Sequence, residues 1–289
     1  MIIDAHCHAW SAWPYQPPVP DPYSRGRVEQ LLHEMALNRV DQALLVCAQI
    51  DHNPHNNAYV AEQVQRFPGR LFQLVDLDSQ WSSTYHQPGA AARLLAMAEH
   101  PGLPRAGWPV KGFTHYLAPS DDGAWLLSAE GTALFELASS RKLIASLSCA
   151  PHQQPSIRRL AERFPAVPIL CHHLGFPRRG KGSLDENLDQ VLASARLPNI
   201  YIKVSGFAYA AQVNWDYPYP DVQPTIRALY QAFGPRRLCW GSDYPVVRAF
   251  MTYTQSLETL RTHCAFIPEE DLAWILGHTL NTLLLASGK

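Results

Sequence analysis

The sequence predicts an α/β protein in which eight parallel strands close into one (β/α)8 barrel, the TIM-barrel architecture. Short runs of apolar and β-branched residues recur eight times, and amphipathic segments long enough for a crossover helix separate them. Such alternation is typical of a parallel sheet with right-handed connections. No Gly-rich dinucleotide-binding turn follows the first run, which disfavours an open nucleotide-binding sheet.

The predicted strands are short apolar runs at residues 2–7, 42–47, 71–77, 110–115, 143–147, 168–172, 200–204 and 238–241. The predicted helices are amphipathic and lie at 27–38, 57–67, 90–100, 129–141, 157–164, 187–195, 222–233 and 252–264, with 268–285 closing the chain. Eight units in 289 residues, somewhat more than the ~250 typical of this barrel, predict a single domain over residues 1–289. The proline-rich segment 14–22 is either a flap over the barrel mouth or a structural turn.

The composition restricts the class of protein. Hydrophobic residues make up 47% of the chain and charged residues 17%, which suits a soluble protein with a large core. The 24 Lys and Arg residues nearly balance the 25 Asp and Glu residues, so there is no basic excess for a nucleic acid or an anionic membrane. We therefore expect a small-molecule substrate, with homo-oligomerisation left open.

The cysteines and the N-terminus bear on the cellular compartment. The six cysteines are widely spaced, lie mostly in apolar runs and form no C-x-x-C motif, so we expect reduced core residues. The chain lacks a basic segment followed by an apolar signal core, and no apolar run approaches the ~20 residues that cross a bilayer. These features predict a cytoplasmic protein.

The first predicted strand ends in two histidines, His6 and His8, spaced one residue apart. Alternate side chains of a strand share a face, so both imidazoles would point to one place. Such a pair suits a divalent metal ion or a polarised carbonyl group. The spacing also arises by chance, and the other strand ends are needed to decide.

Polar side chains occur on or just after several other predicted strands, and in this barrel type the C-terminal strand ends build the reactive face. The residues concerned are Lys111, His115, His172, His173, Lys203, Ser205, Ser242 and Asp243. This distribution predicts a site that binds metal or moves protons.

Asp243 follows the eighth predicted strand, where Gly241 allows close approach of backbone or ligand. Its carboxylate is predicted to be a general base toward water and a metal ligand beside the two histidines of strand one; the alternative is the N-cap of the next helix.

After strand six, alternation lets only one of His172 and His173 point into the mouth. We expect that residue to be His173.

The segments Ile3-Asp-Ala-His-Cys-His8, His173-Leu-Gly175 and Trp240-Gly-Ser-Asp-Tyr-Pro245 together resemble the amidohydrolase superfamily. The similarity is closest to its amidohydrolase-related branch, which includes sugar-lactone and 2-pyrone-4,6-dicarboxylate lactonases. The resemblance spans nearly the whole chain, and its motifs at strands one and eight are much more specific for the superfamily than for a substrate.

The resemblance implies that His6 and His8 bind either one divalent ion, zinc or manganese, or the substrate carbonyl directly. Asp243 would activate water, and His173 would polarise the carbonyl or the leaving oxygen. Some lactonases of this branch need no metal. Lys111 lies early in its strand, which argues against a carboxylated lysine bridge and a two-metal site.

Further residues are predicted to contact the substrate. His115 lies at the end of strand four, and the aromatic Trp10 lies near the mouth. Thr114 stands where related lactonases often carry an arginine, which puts carboxylate recognition at that strand in doubt. Other cations that could hold an anionic group are Arg178, Arg179, Lys181 and Arg248, of which Arg178 and Arg248 are the predicted substrate contacts.

These residues favour hydrolysis of a small lactone from a sugar acid or an aromatic breakdown product. Asp243 would deprotonate water, and His6, His8 or their metal would stabilise the oxyanion. The alternative is a metal-dependent, non-oxidative decarboxylase, and a third interpretation is a non-catalytic barrel that binds a small molecule. The roles of His115, His152 and His172 stay open.

Overall fold

The computed structural model describes residues 1–15, 19–50, 53–98, 110–179 and 182–288. Within these residues eight strands form one parallel sheet in the order β1 to β8. The strands are β1 Ile3–Cys7, β2 Gln42–Val46, β3 Leu71–Asp76, β4 Gly112–Tyr116, β5 Ile144–Ser148, β6 Ile169–Cys171, β7 Ile200–Val204 and β8 Leu238–Trp240. The predicted (β/α)8 barrel is confirmed.

Helices connect successive strands, as right-handed parallel crossovers require. In the described residues they are α1 Pro22–Arg25, α2 Val28–Leu37, α3 Asn56–Arg66, α4 Ala90–Ala98, α5 Ala129–Ser140, α6 Gln154–Arg163, α7 Leu184–Leu192, α8 Phe207–Ala210, α9 Gln223–Phe233, α10 Tyr253–Arg261, α11 Glu269–Ala273 and α12 Thr279–Ala286.

Some predicted boundaries differ from the observed ones. The predicted helix 268–285 is divided, because a π-helical turn at Trp274–His278 separates α11 from α12. The end of the predicted helix 90–100 and part of the predicted flap 14–22 lie outside the described residues, at 99–100 and 16–18. No helix in the described ranges is long and apolar enough to span a membrane.

The barrel interior is filled by small and medium apolar side chains from alternate strand positions, among them Ile3, Ala5, Leu44, Val46, Leu74, Ile144, Leu170 and Cys239. Leu280, Leu283 and Leu284 of α12 join this cluster. The Lys111 ammonium, just before β4, donates a hydrogen bond to the Ser287 carbonyl. Helix α12 therefore covers the N-terminal end of the barrel and leaves the opposite mouth available for a site.

The barrel is completed between β8 and β1 by the segment that follows β8. The Asp243 amide donates to the His6 carbonyl at 2.7 Å, and the His8 amide donates to the Tyr244 carbonyl at 2.6 Å. Gly241 lies so close to β1 that a Cβ there would be 2.6 Å from the His6 Cβ. The seam that closes the barrel thus also brings Asp243 to the two histidines of strand one.

Candidate active site

Four side chains meet at the C-terminal mouth of the barrel. The Asp243 Oδ1 atom lies 3.5 Å from His6 Nε2, 3.4 Å from His8 Nε2 and 3.9 Å from His173 Nε2. All four residues are buried, with Asp243 only 3% exposed. The structure therefore brings together the predicted catalytic pair, Asp243 and His173, and the predicted metal ligands His6 and His8.

The backbone and Tyr209 orient the Asp243 carboxylate. Asp243 has a φ of 60°, a left-handed conformation that turns its side chain into the mouth. The Tyr209 hydroxyl, on α8, donates to Oδ2 at 2.6 Å and leaves Oδ1 to the histidines. Helix α10 is instead capped by Thr252, whose hydroxyl accepts from the Gln255 amide. The alternative role of Asp243 as a helix cap is thus not the arrangement in the structure.

His8 has its proton placed by the backbone. Its Nδ1 lies 2.6 Å from the Val46 carbonyl oxygen, which can only accept, so Nδ1 carries a proton and Nε2 faces Asp243. Trp10 stacks on the His8 ring with centroids 4.9 Å apart, and its indole N–H donates to the Ala48 carbonyl. Trp10 is fully buried, so it supports His8 from behind.

Both histidines after β6 lie against His6, with ring centroids 4.5 Å away for His172 and 4.4 Å for His173. Strand alternation does not apply to them because the chain leaves the strand after β6, and His173 has a φ of 46°. His173 Nδ1 is 3.0 Å from the Ser205 hydroxyl, and His172 Nε2 is 2.7 Å from the Ser146 hydroxyl. His172 therefore borders the cluster from deeper in the barrel.

Lys203 on β7 lies beneath the cluster. Its side chain is fully buried, and its Nζ lies 2.7 Å from the Ser146 hydroxyl and 3.2 Å from His6 Nδ1. Burial lowers the pKa of Lys203 to about 7. Burial also lowers the pKa of His6 well below its usual range, and the charge of Lys203 lowers it further.

The Asp243 carboxylate is ionised although it is buried. Burial would raise its pKa, but attraction to His173 and hydrogen bonds from His8 and Tyr209 lower the pKa below its usual value. Since burial lowers the pKa of His173 to about 4, that ring is neutral near pH 7. At neutral pH the hydrogen bond from Tyr209 therefore supports the negative charge.

The donor set fits a divalent cation. With metal–ligand bonds of about 2.1 Å, tetrahedral ligands lie about 3.4 Å apart, close to the 3.5 Å and 3.4 Å between Asp243 Oδ1 and the Nε2 atoms of His6 and His8. His6 Nε2 is buried and has no hydrogen-bond partner in the described structure. A metal-binding histidine usually donates a hydrogen bond from its other ring nitrogen to a carbonyl or carboxylate. In this site the other ring nitrogen of His6, Nδ1, faces the Lys203 ammonium instead. His6, His8 and Asp243 can nevertheless hold one ion.

His115 lies apart from this cluster. Its ring stacks with Tyr85, His86 and Trp125, at centroid distances of 5.7, 5.8 and 5.5 Å. Adjacent residues of a strand point to opposite faces, and the next residue, Tyr116, packs against the barrel interior. His115 therefore points outward, between the sheet and the loop that follows β3.

The two predicted arginine contacts are also engaged elsewhere. Arg178 donates to the Ala210 carbonyl and lies 3.6 Å from the Asp221 carboxylate. Arg248 donates to the Gln30 side chain at 3.3 Å.

His152, in the loop after β5, lies 3.0 Å from the Asp121 carbonyl oxygen and is exposed. Lys181 lies outside the described residues.

Two residues of the site received no role from the sequence. Lys203 was visible as a polar strand-end residue, and only the fold shows that its ammonium reaches His6. The bond of Tyr209 to Asp243 depends on the left-handed Gly206 before α8. A Cβ at Gly206 would lie 2.6 Å from both His173 Nδ1 and the Tyr209 ring, so close packing here requires glycine.

The buried histidines predict a stability that rises with pH. Burial lowers the pKa of four of them, His6, His115, His172 and His173. From about pH 4 to pH 6.5 the unfolded chain therefore binds more protons at these sites, and stability increases as pH rises. Burial raises the pKa of Asp4 and Asp76 to about 6, so these two groups make stability fall as pH rises. The four histidines outnumber them, and the net stability should still increase.

We expect the free energy of unfolding of the metal-free protein to increase by on the order of a few kcal/mol over this interval. Urea denaturation at several pH values measures the slope. The slope of unfolding free energy against pH is proportional to the number of protons taken up on unfolding. His115→Gln, outside the cluster, should reduce that number by about one. A flat or falling profile would contradict the assignment of neutral buried histidines.

A buried aspartate surrounded by histidines at the C-terminal mouth of a (β/α)8 barrel is typical of an enzyme active site. The sequence profile of the amidohydrolase family matches residues 3–279, and the chain belongs to that family. The L-fucono-1,5-lactonase of Burkholderia ambifaria is 26% identical over 257 residues, which are 85% of this chain and 81% of that protein. The 4-sulfomuconolactone hydrolase of Hydrogenophaga intermedia is 32% identical over 93 residues, 31% of this chain and 29% of that protein.

Solved structures share the fold. A zinc-bound crystal structure of an amidohydrolase from Burkholderia multivorans has a TM-score of 0.73 at 18% identity, with 99% of each chain covered. A protein from Pseudomonas putida described as a candidate 2-pyrone-4,6-dicarboxylic acid hydrolase has a TM-score of 0.72 at 20% identity, covering 99% of this chain and 97% of that one.

Proposed function

We propose that this protein hydrolyses a small lactone whose ring comes from a sugar acid or an aromatic breakdown product. The observation that carries the proposal is the ionised Asp243 carboxylate, whose Oδ1 faces three imidazole Nε2 atoms within 3.9 Å. The curated relatives support the substrate class, since one is a sugar lactonase and another a muconolactone hydrolase.

In the proposed reaction, Asp243 Oδ1 accepts a proton from a water molecule as its oxygen attacks the lactone carbonyl. In the metal-free site Lys203 donates to His6 Nδ1, so His6 Nε2 carries a proton that it can donate to the developing oxyanion. With an ion bound, His6 Nε2 would lose that proton and be a ligand instead. The ring C–O bond then breaks, and Asp243 returns its proton to the leaving alkoxide. One lactone and one water give one hydroxy acid.

We propose zinc or manganese as the ion that His6, His8 and Asp243 can hold, since their nitrogen and oxygen donors suit both. When bound, such an ion would act as a Lewis acid on the carbonyl group. His8, whose Nδ1 donates to the Val46 carbonyl, can be a ligand through Nε2.

The zinc site predicts a binding result that does not depend on turnover. After equilibration with zinc and desalting, elemental analysis should find about one zinc per wild-type chain and much less in His8→Asn, because three protein ligands define the site. His33→Asn, on the exposed face of α2, is the matched control and should retain the metal. Equal zinc in wild type and His8→Asn would contradict the ligand set.

Hydrolysis itself is tested with a panel of sugar and pyrone lactones, following proton release at constant pH and identifying the product by mass spectrometry. We expect one hydroxy acid per lactone consumed. Release of carbon dioxide from unsaturated or aromatic acids, with no lactone cleaved, would replace hydrolysis with decarboxylation.

Tyr209→Phe is expected to lower kcat by about 10- to 100-fold, the usual effect of losing a hydrogen bond to a charged group. The variant frees Oδ2 and weakens the support of the Asp243 charge, while KM should change little. Tyr219→Phe is the control, because the Tyr219 hydroxyl donates to the Asn214 carbonyl instead. Steady-state kinetics on a cleaved lactone compares the two, and an unchanged kcat in Tyr209→Phe would show that this bond has no role.

A further inference from the structure

We propose that Arg179 and the cavity beside it bind a carboxylate group of the substrate, so that the enzyme selects anionic lactones over neutral sugar lactones. This inference rests on the proposed function and specifies its substrate class. Arg179 follows the two histidines after β6 and is next to Arg178, which lies 3.6 Å from the Asp221 carboxylate.

The cavity has a volume of about 320 Å³ and opens at the barrel mouth between the ends of β4 and β6. Its wall includes Leu117, Ser148, Phe176 and Arg179. Phe176 also packs on the His173 ring, with centroids 5.0 Å apart. Phe176 therefore lies in the wall of the cavity and against a ring of the catalytic cluster, so the cavity is next to the cluster.

Arg179 is held in place by aromatic rings. Its guanidinium carbon lies 4.0 Å from the centre of the Phe176 ring and 5.6 Å from that of Tyr209, within the range of cation–π attraction. Tyr209 is the residue that bonds Asp243. Stacking orients the planar guanidinium and reduces the entropy lost when a ligand binds.

The donors of Arg179 are available. In the described part of the chain no carboxylate lies within ion-pair distance of its guanidinium, in contrast to Arg93, which pairs with Asp78 at 2.6 Å. Arg179 is exposed at the mouth, so an incoming ligand can reach its N–H groups. Asp243 and Tyr116 are among the groups that interact with its charge, which places the guanidinium toward the catalytic cluster.

A second polar group completes the subsite. Ser148, at the end of β5, lines the same cavity, and its hydroxyl makes no hydrogen bond to another described residue. A planar carboxylate can accept two parallel bonds from a guanidinium and a third from a hydroxyl. A neutral sugar lactone would leave the arginine without an anionic partner, so the chemistry favours a carboxylate.

The test compares two ligands that differ only in charge: γ-butyrolactone with a carboxylate on the ring carbon beside the ring oxygen, and the same lactone with a carboxamide there. Calorimetry uses Asp243→Asn protein, so binding is measured without turnover. We expect the carboxylate to bind about 10- to 100-fold more tightly than the carboxamide. Adding Arg179→Met should abolish that preference, and adding Arg179→Lys should restore part of it.

Arg163→Met is the matched control, since Arg163 also lies over a phenylalanine ring, 5.5 Å from the centre of Phe164, at the end of α6. It should leave the preference unchanged. Equal binding of the two lactones, binding of neither, or an unchanged preference in Arg179→Met would overturn the proposal. Preferential binding of the carboxylate without hydrolysis by the wild-type protein would uphold the subsite and overturn the proposed reaction.

Discussion

Asp243→Asn is expected to lower kcat/KM for lactone hydrolysis by about 100- to 10,000-fold, the range for loss of a general base. The amide cannot take a proton from water at neutral pH, yet it has nearly the same shape as the carboxylate. Its oxygen can still accept the hydrogen bond that Tyr209 now gives to Oδ2. The variant should therefore fold normally, which circular dichroism and the melting temperature will show.

Asp189→Asn provides the control for this substitution. Asp189 is exposed on α7, away from the cluster. Its substitution by asparagine removes the same charge as Asp243→Asn. We expect its kcat/KM to be within about twofold of wild type, as for most surface substitutions. Wild-type turnover by Asp243→Asn would rule out Asp243 as the base.

Gly241→Ala is expected to destabilise the protein by about 2–4 kcal/mol, as overpacking at a rigid contact does. The new Cβ would lie 2.6 Å from the His6 Cβ and 2.8 Å from the His6 amide nitrogen. Because these atoms belong to β1 itself, β8 must move away from β1 along the closing seam. Asp243 would move with it, so kcat/KM should also fall by at least about 100-fold.

Urea denaturation and kinetics of Gly241→Ala are compared with Gly26→Ala. A Cβ at Gly26 would have ordinary contacts, the nearest at 3.5 Å to Trp10, so that variant should lose less than about 1 kcal/mol. Equal stability of the two variants would show that the seam can open without cost.

The sequence was sufficient for the barrel because strand and helix patterns are local. Eight apolar runs with helices between them leave few topologies, and the order β1 to β8 follows the chain. The meeting of His6, His8 and Asp243 was also accessible, since strand ends of a closed parallel barrel converge at one mouth.

Alternation within β4 turns His115 outward, toward Trp125. Side-chain direction beyond the strands was not accessible. Arg178 and Arg179 are neighbours in sequence, yet only the fold shows that Arg178 is engaged with the Ala210 carbonyl while Arg179 stacks over Phe176. Lys203 is visible in the sequence as a polar strand residue, but the contact of its ammonium with His6 is shown only by the fold.

The central claim is that water, activated at Asp243, attacks a lactone carbonyl. Its most direct test is hydrolysis of a cleaved lactone in water enriched in heavy oxygen, with mass spectrometry of the product. The account predicts one heavy oxygen per molecule, in the new carboxylate, and no enzymatic label incorporation with Asp243→Asn. Label in the alcohol oxygen, or no lactone cleaved by the wild-type protein, would contradict it.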